Sequence, residues 1–254
     1  MSTLDTMEGY FSCDGLRVAY RYHQTSVDAD TVVFLHGFGS SMESTKGKLI
    51  FDFCVDIGLN ALLFDNLGHG KSDGNFVDCT MSMWLETARR LLQEFTPRPP
   101  LLVGSSKGGW LALLLARIIP IKALLLLAPA QDFPTYFLDA LPKETQEGLL
   151  HTPGFVFNIN SSGYLIPLSH AFVQDSFSHM LMKSDSVDVT CPVAIVHGML
   201  DKSVDYRQSI LLQEKLASRD VCLKLLKNSY HALSLPTEFA IIANSIKELL
   251  NLSI

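Results

Sequence analysis

The stretch Pro100-Leu-Leu-Val-Gly104-Ser105-Ser106-Lys107-Gly108 decides the fold, because it joins a predicted strand to a predicted helix through a sharp turn. The apolar run before Gly104 is typical of a buried strand, and the residues after Lys107 have a strongly helical composition. The segment fits the pattern G-x-S-x-G with Ser106 at its centre, whereas a frame centred on Ser105 breaks the glycine spacing. We therefore predict that Ser106 is a nucleophile on a strained turn; the alternative is a glycine- and serine-rich loop with no catalytic role.

Several other short apolar runs have the composition of strands that are buried on both faces, as in the centre of a parallel sheet. Helical stretches alternate with these runs, and the alternation predicts a doubly wound α/β sheet. The predicted strands are Thr31–His36, Ala61–Asp65, Pro100–Gly104, Ala123–Leu127, Pro192–His197 and Val221–Leu226. The predicted helices are Glu43–Ile57, Thr80–Phe95, Lys107–Ile118, Tyr206–Ala217 and Leu235–Leu250. An opening antiparallel hairpin is predicted from Gly9–Ser12 and Leu16–His23, around the turn Cys13-Asp14-Gly15.

Residues 132–189 interrupt this alternation, because prolines punctuate them and no strand–helix rhythm is visible. We predict that they form a small insertion, or cap, over the sheet, with a hairpin from Phe155 to Leu168 that turns near Ser161-Ser-Gly163. The chain of 254 residues is 48% apolar, which is enough to fill one core. Residues 1–254 are therefore predicted to form a single domain.

A serine hydroxyl is a weak nucleophile near neutral pH, so Ser106 needs a base that is itself oriented by a carboxylate. Ligands of such sheets bind at the carboxyl ends of the strands, so these partners should follow strands directly. His231 follows the last predicted strand and is the predicted base. Asp201 follows the preceding strand and is the predicted acid, with Asp205 and Asp132 as alternatives.

The segment His36-Gly-Phe-Gly39 follows the first parallel strand, where a loop N–H can help to bind an oxyanion. The main-chain N–H groups of Phe38 and Lys107 are the predicted donors. The Lys107 side chain is unusual, because a cation on the first turn of a helix is opposed by the helix dipole by about 0.3–1 kcal/mol. It could pair with a carboxylate such as Asp132, attract an anionic group of the substrate, or simply be exposed to solvent.

Several segments together resemble the α/β-hydrolase superfamily over nearly the whole chain, namely His36–Gly39, Asp65–Ser72, Gly104–Gly108, His197–Asp201 and His231. The resemblance implies that Ser106, Asp201 and His231 form the triad of a serine hydrolase. A narrower set resembles the mitochondrial α/β-hydrolase-domain acyl-protein thioesterases, namely Gly104–Trp110, Ser72–Asn75, Trp84 and Cys191-Pro192. This resemblance implies hydrolysis of thioesters or esters.

The expected reaction is cleavage of a carboxylic ester or thioester through an acyl-enzyme on Ser106, with no metal or organic cofactor. Aromatic residues of the predicted cap are candidates for an acyl pocket, although packing within the cap is equally expected of most of them. The same triad also serves serine peptidases and carbon–carbon bond hydrolases, and a non-catalytic ligand receptor could retain the fold. The candidate substrate-binding residues are Phe133, Phe137, Phe155 and Tyr164.

Composition favours a small-molecule or protein substrate, and the resemblance implies a small-molecule or acylated-protein ester. The formal net charge of −6 and the absence of Lys or Arg runs argue against nucleic acid. The apolar stretch 110–130 is interrupted by Arg117, Pro120 and Lys122, so a buried helix and strand explain it better than a membrane span. The first residues lack the apolar core of a secretory signal, which predicts a cytoplasmic protein.

Overall fold

The computed structural model describes residues 6–161 and 164–252, and its strands form one large sheet and one small hairpin. Within these ranges the eight-stranded sheet has the order β1-β2-β4-β3-β5-β6-β9-β10, and β7 pairs with β8 alone. The strands β1 to β10 are, in chain order, Met7–Cys13, Leu16–His23, Thr31–Leu35, Asn60–Phe64, Leu101–Ser105, Ala123–Leu127, Val156–Ser161, Tyr164–Ser169, Val193–Gly198 and Val221–Leu226.

The sheet runs parallel from β4 to β10, and the opening hairpin adds to its edge in the antiparallel sense. The hairpin turn places Asp14 and Gly15 at φ values of 50° and 83°, the left-handed geometry that a tight two-residue turn requires. The expected fold, a mostly parallel doubly wound sheet with an N-terminal antiparallel hairpin, is therefore confirmed.

Helices cover both faces of the sheet, which explains why its central strands are apolar throughout. In β3, Val33 and Leu35 face one apolar cluster, whereas the alternating Val32 and Phe34 face the other. Helices α2 and α3 pack in the first cluster, and α1 and α8 pack in the second. The helices α1 to α8 are Thr45–Asp56, Met81–Phe95, Lys107–Ala116, Phe133–Asp139, Lys143–His151, His170–Ser176, Arg207–Lys215 and Pro236–Leu249.

The predicted central strands and helices agree with the observed ones to within two residues at each end. This agreement follows from the patterning, because a run that is apolar on both faces fits only the middle of a covered sheet. Three helix ends differ by two residues: Glu43 and Ile118 belong to turns, and Ala217 lies beyond the end of α7.

The inserted segment, residues 132–189, lies between β6 and β9 and carries α4, α5, the β7–β8 hairpin and α6. The predicted hairpin is present, with Val156 opposite Ser169, but its turn at residues 162–163 lies outside the described part of the chain. The Asp132 carboxylate accepts hydrogen bonds from the main-chain N–H groups of Leu181, at 2.9 Å, and Met182, at 2.7 Å. These bonds tie the beginning of the segment to a point near its end.

Candidate active site

Ser106 lies in the turn between β5 and α3 with a strained backbone, at φ 54° and ψ −119°. Non-glycine residues rarely adopt a positive φ, and such strain persists only where the surroundings enforce it. The Ser106 N–H donates to the Leu127 carbonyl at 2.9 Å, and the Ser106 carbonyl accepts from the N–H groups of Gly109, at 2.9 Å, and Ala130, at 3.0 Å. These bonds fix the serine between β6 and the first turn of α3.

Two glycines allow the close approach of strand and helix at this turn. A Cβ atom on Gly104 would overlap the Gly108 carbonyl, and one on Gly108 would overlap the Leu35 carbonyl. Both glycines of the G-x-S-x-G pattern are therefore required by the packing of β3, β5 and α3.

Asp201 and His231 come from two neighbouring loops and meet at 2.6 Å between Asp201 Oδ2 and His231 Nδ1. Asp201 follows β9 and His231 follows β10, and the Leu200 N–H donates to the Ser229 carbonyl at 2.9 Å to join the two loops. A Cβ on Gly198 would overlap the Ser229 carbonyl, so this loop contact also depends on a glycine.

The buried Asp201 carboxyl is held in its ionised form. Burial alone would raise its pKa, but hydrogen bonds with His197 and His231 hold the pKa well below its usual range. The other carboxylate oxygen accepts the main-chain N–H groups of Ser203, at 2.7 Å, and Val204, at 2.9 Å. An ionised and fixed carboxylate favours the tautomer of His231 that leaves Nε2 free to accept a proton.

His197 is a second histidine on the same carboxylate and was not singled out as a site residue from the sequence. Its Nε2 lies 3.0 Å from Asp201 Oδ2, and its Nδ1 lies 2.7 Å from the Ser209 hydroxyl. The side chain is fully buried. Its position at the end of β9, four residues before Asp201, was the available signal, but it resembled any strand-end histidine.

The two alternative acids lie elsewhere. Asp205 is exposed and accepts the main-chain N–H of Arg207 at 2.9 Å. The Asp132 carboxylate accepts hydrogen bonds from the main-chain N–H groups of Leu181 and Met182. Among the three candidates, the structure brings Asp201 to His231.

Ser106 and His231 line one cavity of about 660 Å³, a volume suited to a small-molecule ligand. Within the described part of the chain, no hydrogen bond joins the Ser106 hydroxyl to the His231 ring. Such bonds are often long in an enzyme without substrate and tighten when substrate binds. The arrangement is therefore compatible with proton transfer between the two side chains.

The loop after β3 faces the turn that carries Ser106. A Cβ on Gly37 would lie 3.4 Å from Ser106 Cβ, so the two segments are in contact. The N–H groups of Phe38 and Lys107 donate no hydrogen bond within the described residues. Both groups are therefore free to donate to a ligand atom beside Ser106.

A buried histidine pair anchors this loop to the segment 65–72. His36 Nε2 accepts the Asn66 N–H at 3.0 Å, and the His36 and His69 rings lie 4.7 Å apart. Burial, together with the nearby Lys107, lowers the pKa of His69 to about 3 and that of His36 well below its usual range. The pair is neutral and packs beside the turn that carries Ser106.

The Lys107 side chain is neither exposed nor paired with Asp132, and both of those expectations are wrong. It is fully buried, with Nζ 4.2 Å from the centre of the Trp84 ring and no hydrogen-bond partner among the described residues. Burial lowers the pKa of this amine to about 7. Helix α3 is buried on every side from Lys107 to Leu115, so it has no solvent face to which the lysine could turn.

Two of the predicted substrate residues, Phe133 and Phe137, line the cavity, and Tyr136 between them lines it as well. The Tyr136 hydroxyl is buried without a hydrogen-bond partner in the described part of the chain. Ile159 and Ile166 of the β7–β8 hairpin complete this apolar wall.

The other two predicted substrate residues do not contribute to the described cavity wall. Phe155 packs against Gly148, whose added Cβ would lie 2.6 Å from the ring, and we assign it to packing within the inserted segment. Tyr164 begins β8, but its side chain lies outside the described residues.

Comparison with known proteins places this geometry in a family. Residues 32–236 match the alpha/beta hydrolase family. The chain is an α/β-hydrolase. The mouse mitochondrial palmitoyl-protein thioesterase ABHD10 is 31% identical to it over 224 residues, which are 87% of this chain and 75% of the relative.

Solved structures agree with this membership. A putative hydrolase from Agrobacterium vitis S4 superposes on the hydrolase with a TM-score of 0.88 at 30% identity, covering 96% of this chain and 98% of the other. The mouse alpha/beta hydrolase domain-containing protein 10 superposes with a TM-score of 0.86 at 28% identity, with the same coverage. Among the helices described for the hydrolase, none has both the length and the apolarity of a membrane-spanning segment.

Proposed function

We propose that this α/β-hydrolase is a serine hydrolase that cleaves carboxylic ester or thioester bonds, with Ser106 as nucleophile, His231 as base and Asp201 as the orienting acid. The observation that carries the proposal is the shared cavity. A serine in a strained turn opens into it beside a histidine whose Nδ1 lies 2.6 Å from a buried carboxylate.

In the first half of the reaction, His231 Nε2 takes the Ser106 proton and Oγ attacks the carbonyl carbon of the substrate. The tetrahedral oxyanion accepts hydrogen bonds from the N–H groups of Phe38 and Lys107. His231 then returns its proton to the leaving alcohol or thiol, and an acyl group remains on Ser106.

In the second half, His231 removes a proton from water, and the resulting hydroxide attacks the acyl-enzyme. Collapse of the second oxyanion releases the acid and restores the Ser106 hydroxyl. Asp201 remains ionised throughout and stabilises the imidazolium form of His231 at each step.

The apolar wall of the cavity supports an acyl chain as the part of the substrate that binds under the inserted segment. Phe133, Phe137 and Ile166 offer aromatic and aliphatic surface next to the nucleophile. The relatives carry the name palmitoyl-protein thioesterase, which favours a long acyl thioester among the possible substrates. We propose that the inserted segment acts as the cap over this acyl group.

A fluorophosphonate probe tests the nucleophile. We expect covalent labelling of the wild-type protein and complete loss of labelling in Ser106→Ala. Ser105→Ala is the matched control at the neighbouring position and should still be labelled. An unlabelled wild type would fit a ligand receptor, and equal labelling of Ser106→Ala would refute the assignment of the nucleophile.

A substrate panel tests the bond that is cleaved. Acyl-CoA, an S-palmitoyl peptide and 4-nitrophenyl esters of increasing chain length are compared by kcat/KM. Preference for the long thioesters would support acyl-protein thioesterase activity. Activity on short esters alone would contradict it, and turnover of peptide bonds or carbon–carbon bonds in place of esters would identify one of the alternative reactions.

The cytoplasmic location stays a prediction. The mammalian relatives are named as mitochondrial proteins, which makes an organellar location the competing proposal. Cell fractionation followed by immunodetection decides between them.

A further inference from the structure

The charged side chains that line the cavity are basic. They are Lys46, Lys107 and Lys202, and no Asp or Glu is among the described residues of the wall. The formal net charge of the whole chain is −6, so this local excess of basic groups runs against the average of the molecule. A cavity of this kind concentrates anions.

Lys46 is a partly buried lysine of this wall. It lies in the first turn of α1, and its Nζ donates to the Ser105 hydroxyl at 2.8 Å, directly beside the nucleophile. An ammonium group has three N–H donors, and Lys46 forms no ion pair within the described part of the chain. A partly buried charge without a counter-ion is costly, and an anion in the cavity would relieve that cost.

The charge on Lys46 persists at neutral pH. Burial lowers its pKa to about 8, while the carboxylates of Glu238 and Asp201, which lie too far away for an ion pair, oppose the shift. The two other lysines of the wall are less suitable, because Lys202 is exposed and the Lys107 ammonium group lies against the Trp84 ring.

Several hydroxyl-bearing residues line the same cavity. Ser40, Ser44, Thr45 and Ser234 line it together with Lys46. This polar wall contrasts with the aromatic residues that the inserted segment contributes. The N-terminus of the 12-residue helix α1 adds a favourable dipole for a negative charge.

We propose that Lys46 determines specificity by binding an anionic group of the substrate, of which a carboxylate is the simplest, so that the enzyme prefers esters that carry a negative charge. The inference rests on the proposed serine-hydrolase function. The sequence suggested that Lys107, on α3, attracts an anionic group of the substrate. The proposal assigns this role to Lys46, on α1, instead.

Two pairs of esters test the proposal and locate the anionic group. In the acyl pair, the mono-4-nitrophenyl ester of adipic acid is compared with 4-nitrophenyl hexanoate. In the leaving-group pair, 4-carboxyphenyl hexanoate is compared with its neutral methyl ester. We expect kcat/KM to favour the anionic member at least tenfold in one of the two pairs, since a charge-assisted contact has about that effect.

The Lys46→Met variant should reduce this ratio to near one, and Lys46→Arg should retain most of it. Lys48→Met is the matched control, because Lys48 lies on the same helix but is exposed and paired with Glu43 at 2.9 Å. It should leave the ratio and both rates unchanged.

Two results would overturn the role of Lys46. One is the lack of any charge preference in the wild type; the other is a Lys46→Met variant in which both rates fall but the ratio persists. The second result would mean that Lys46 only supports the turn through Ser105. Fluorophosphonate labelling separates this failure from failure of the proposed function, because a labelled wild type without charge preference refutes the specificity alone.

Discussion

The strand ends of the sheet and the inserted segment meet at one cavity, but they are held in place by different interactions. At the sheet, main-chain hydrogen bonds position Ser106, with Leu127, Gly109 and Ala130 as partners. In the inserted segment, aromatic rings form the wall of the cavity and pack on one another: the Phe133 ring lies 5.4 Å from that of Phe38 and 5.7 Å from that of Phe172.

This difference separates the positioning of Ser106 from the shaping of the cavity wall. Main-chain hydrogen bonds do not depend on which side chains occupy the neighbouring positions. Ser106 should therefore keep its position when those side chains are substituted. Aromatic packing depends on the identity of each side chain, so the proposed acyl-binding wall can change without moving Ser106. Substitutions at the strand ends should therefore affect kcat, and those in the inserted segment should affect the choice of substrate.

The largest effect is expected from Asp201→Asn. The amide cannot stabilise the imidazolium form of His231, so kcat should fall about 10³- to 10⁴-fold. Asp205→Asn is the matched control on the same loop, and its kcat should equal that of the wild type. Steady-state kinetics on a 4-nitrophenyl ester measures both; a similar loss in the two variants would remove Asp201 from the proposed triad.

A glycine pair gives the next largest effect and compares the two regions directly. Gly108→Ala places a Cβ against the Leu35 carbonyl, so the free energy of unfolding should fall by about 3 kcal/mol. Gly154→Ala, in the inserted segment, has φ at 80° but open space around its Cβ, so about 1 kcal/mol is expected. Urea denaturation provides both values, and equal losses would contradict the tighter packing at the sheet.

Lys107→Met should stabilise the protein in a pH-dependent way. The pKa of Lys107 is about 7 in the folded protein and near 10.5 when unfolded, so between these values the unfolded chain binds more protons and stability rises with pH. The penalty of the buried lysine is therefore complete below pH 7, where the substitution should add several kcal/mol to the free energy of unfolding, and it fades toward pH 10.

Urea denaturation at pH 6 and pH 9.5 measures this trend. Lys48→Met is the control, because an exposed lysine should give the same small change at both values. A stabilisation by Lys107→Met that does not vary with pH would show that the gain comes from packing against Trp84 and not from the removed charge.

The smallest effect is expected within the inserted segment itself. Phe137→Ala enlarges the acyl wall and should lower kcat/KM for long acyl esters several-fold, with little change for acetates. Phe155→Ala should instead lower the melting temperature and leave chain-length preference alone, because Phe155 packs on Gly148. A chain-length series for the two variants decides this, and identical profiles would contradict the distinction between the two phenylalanines.

The sheet could be predicted from the sequence because each central strand is apolar on both faces, and β6 (Ala123–Leu127) was placed to the residue. The Ser106 turn could also be predicted, because glycine on both sides of a serine between a strand and a helix indicates that strand and helix pack closely there. The positions of His231 and Asp201 followed from the rule that parallel strands end at one edge.

The side-chain directions of the lysines could not be predicted in the same way. Lys46 and Lys48 lie two residues apart on α1 and look alike in sequence, yet one borders the cavity and the other faces solvent. The burial of Lys107 could have been predicted, since a helix that is apolar on all sides has no exposed face. The aromatic residues of the inserted segment follow no period, so the sequence could not separate Phe137 from Phe155.

The bonds from Leu181 and Met182 to the Asp132 carboxylate have a consequence for the engineering of this protein. They join the first residue of the inserted segment to a point near its end, so the residues between them form a closed loop. Residues 133–180 could therefore be replaced by a segment with different cavity-lining side chains. The hydrogen bonds of Asp132, the strands of the sheet and Ser106 would be kept.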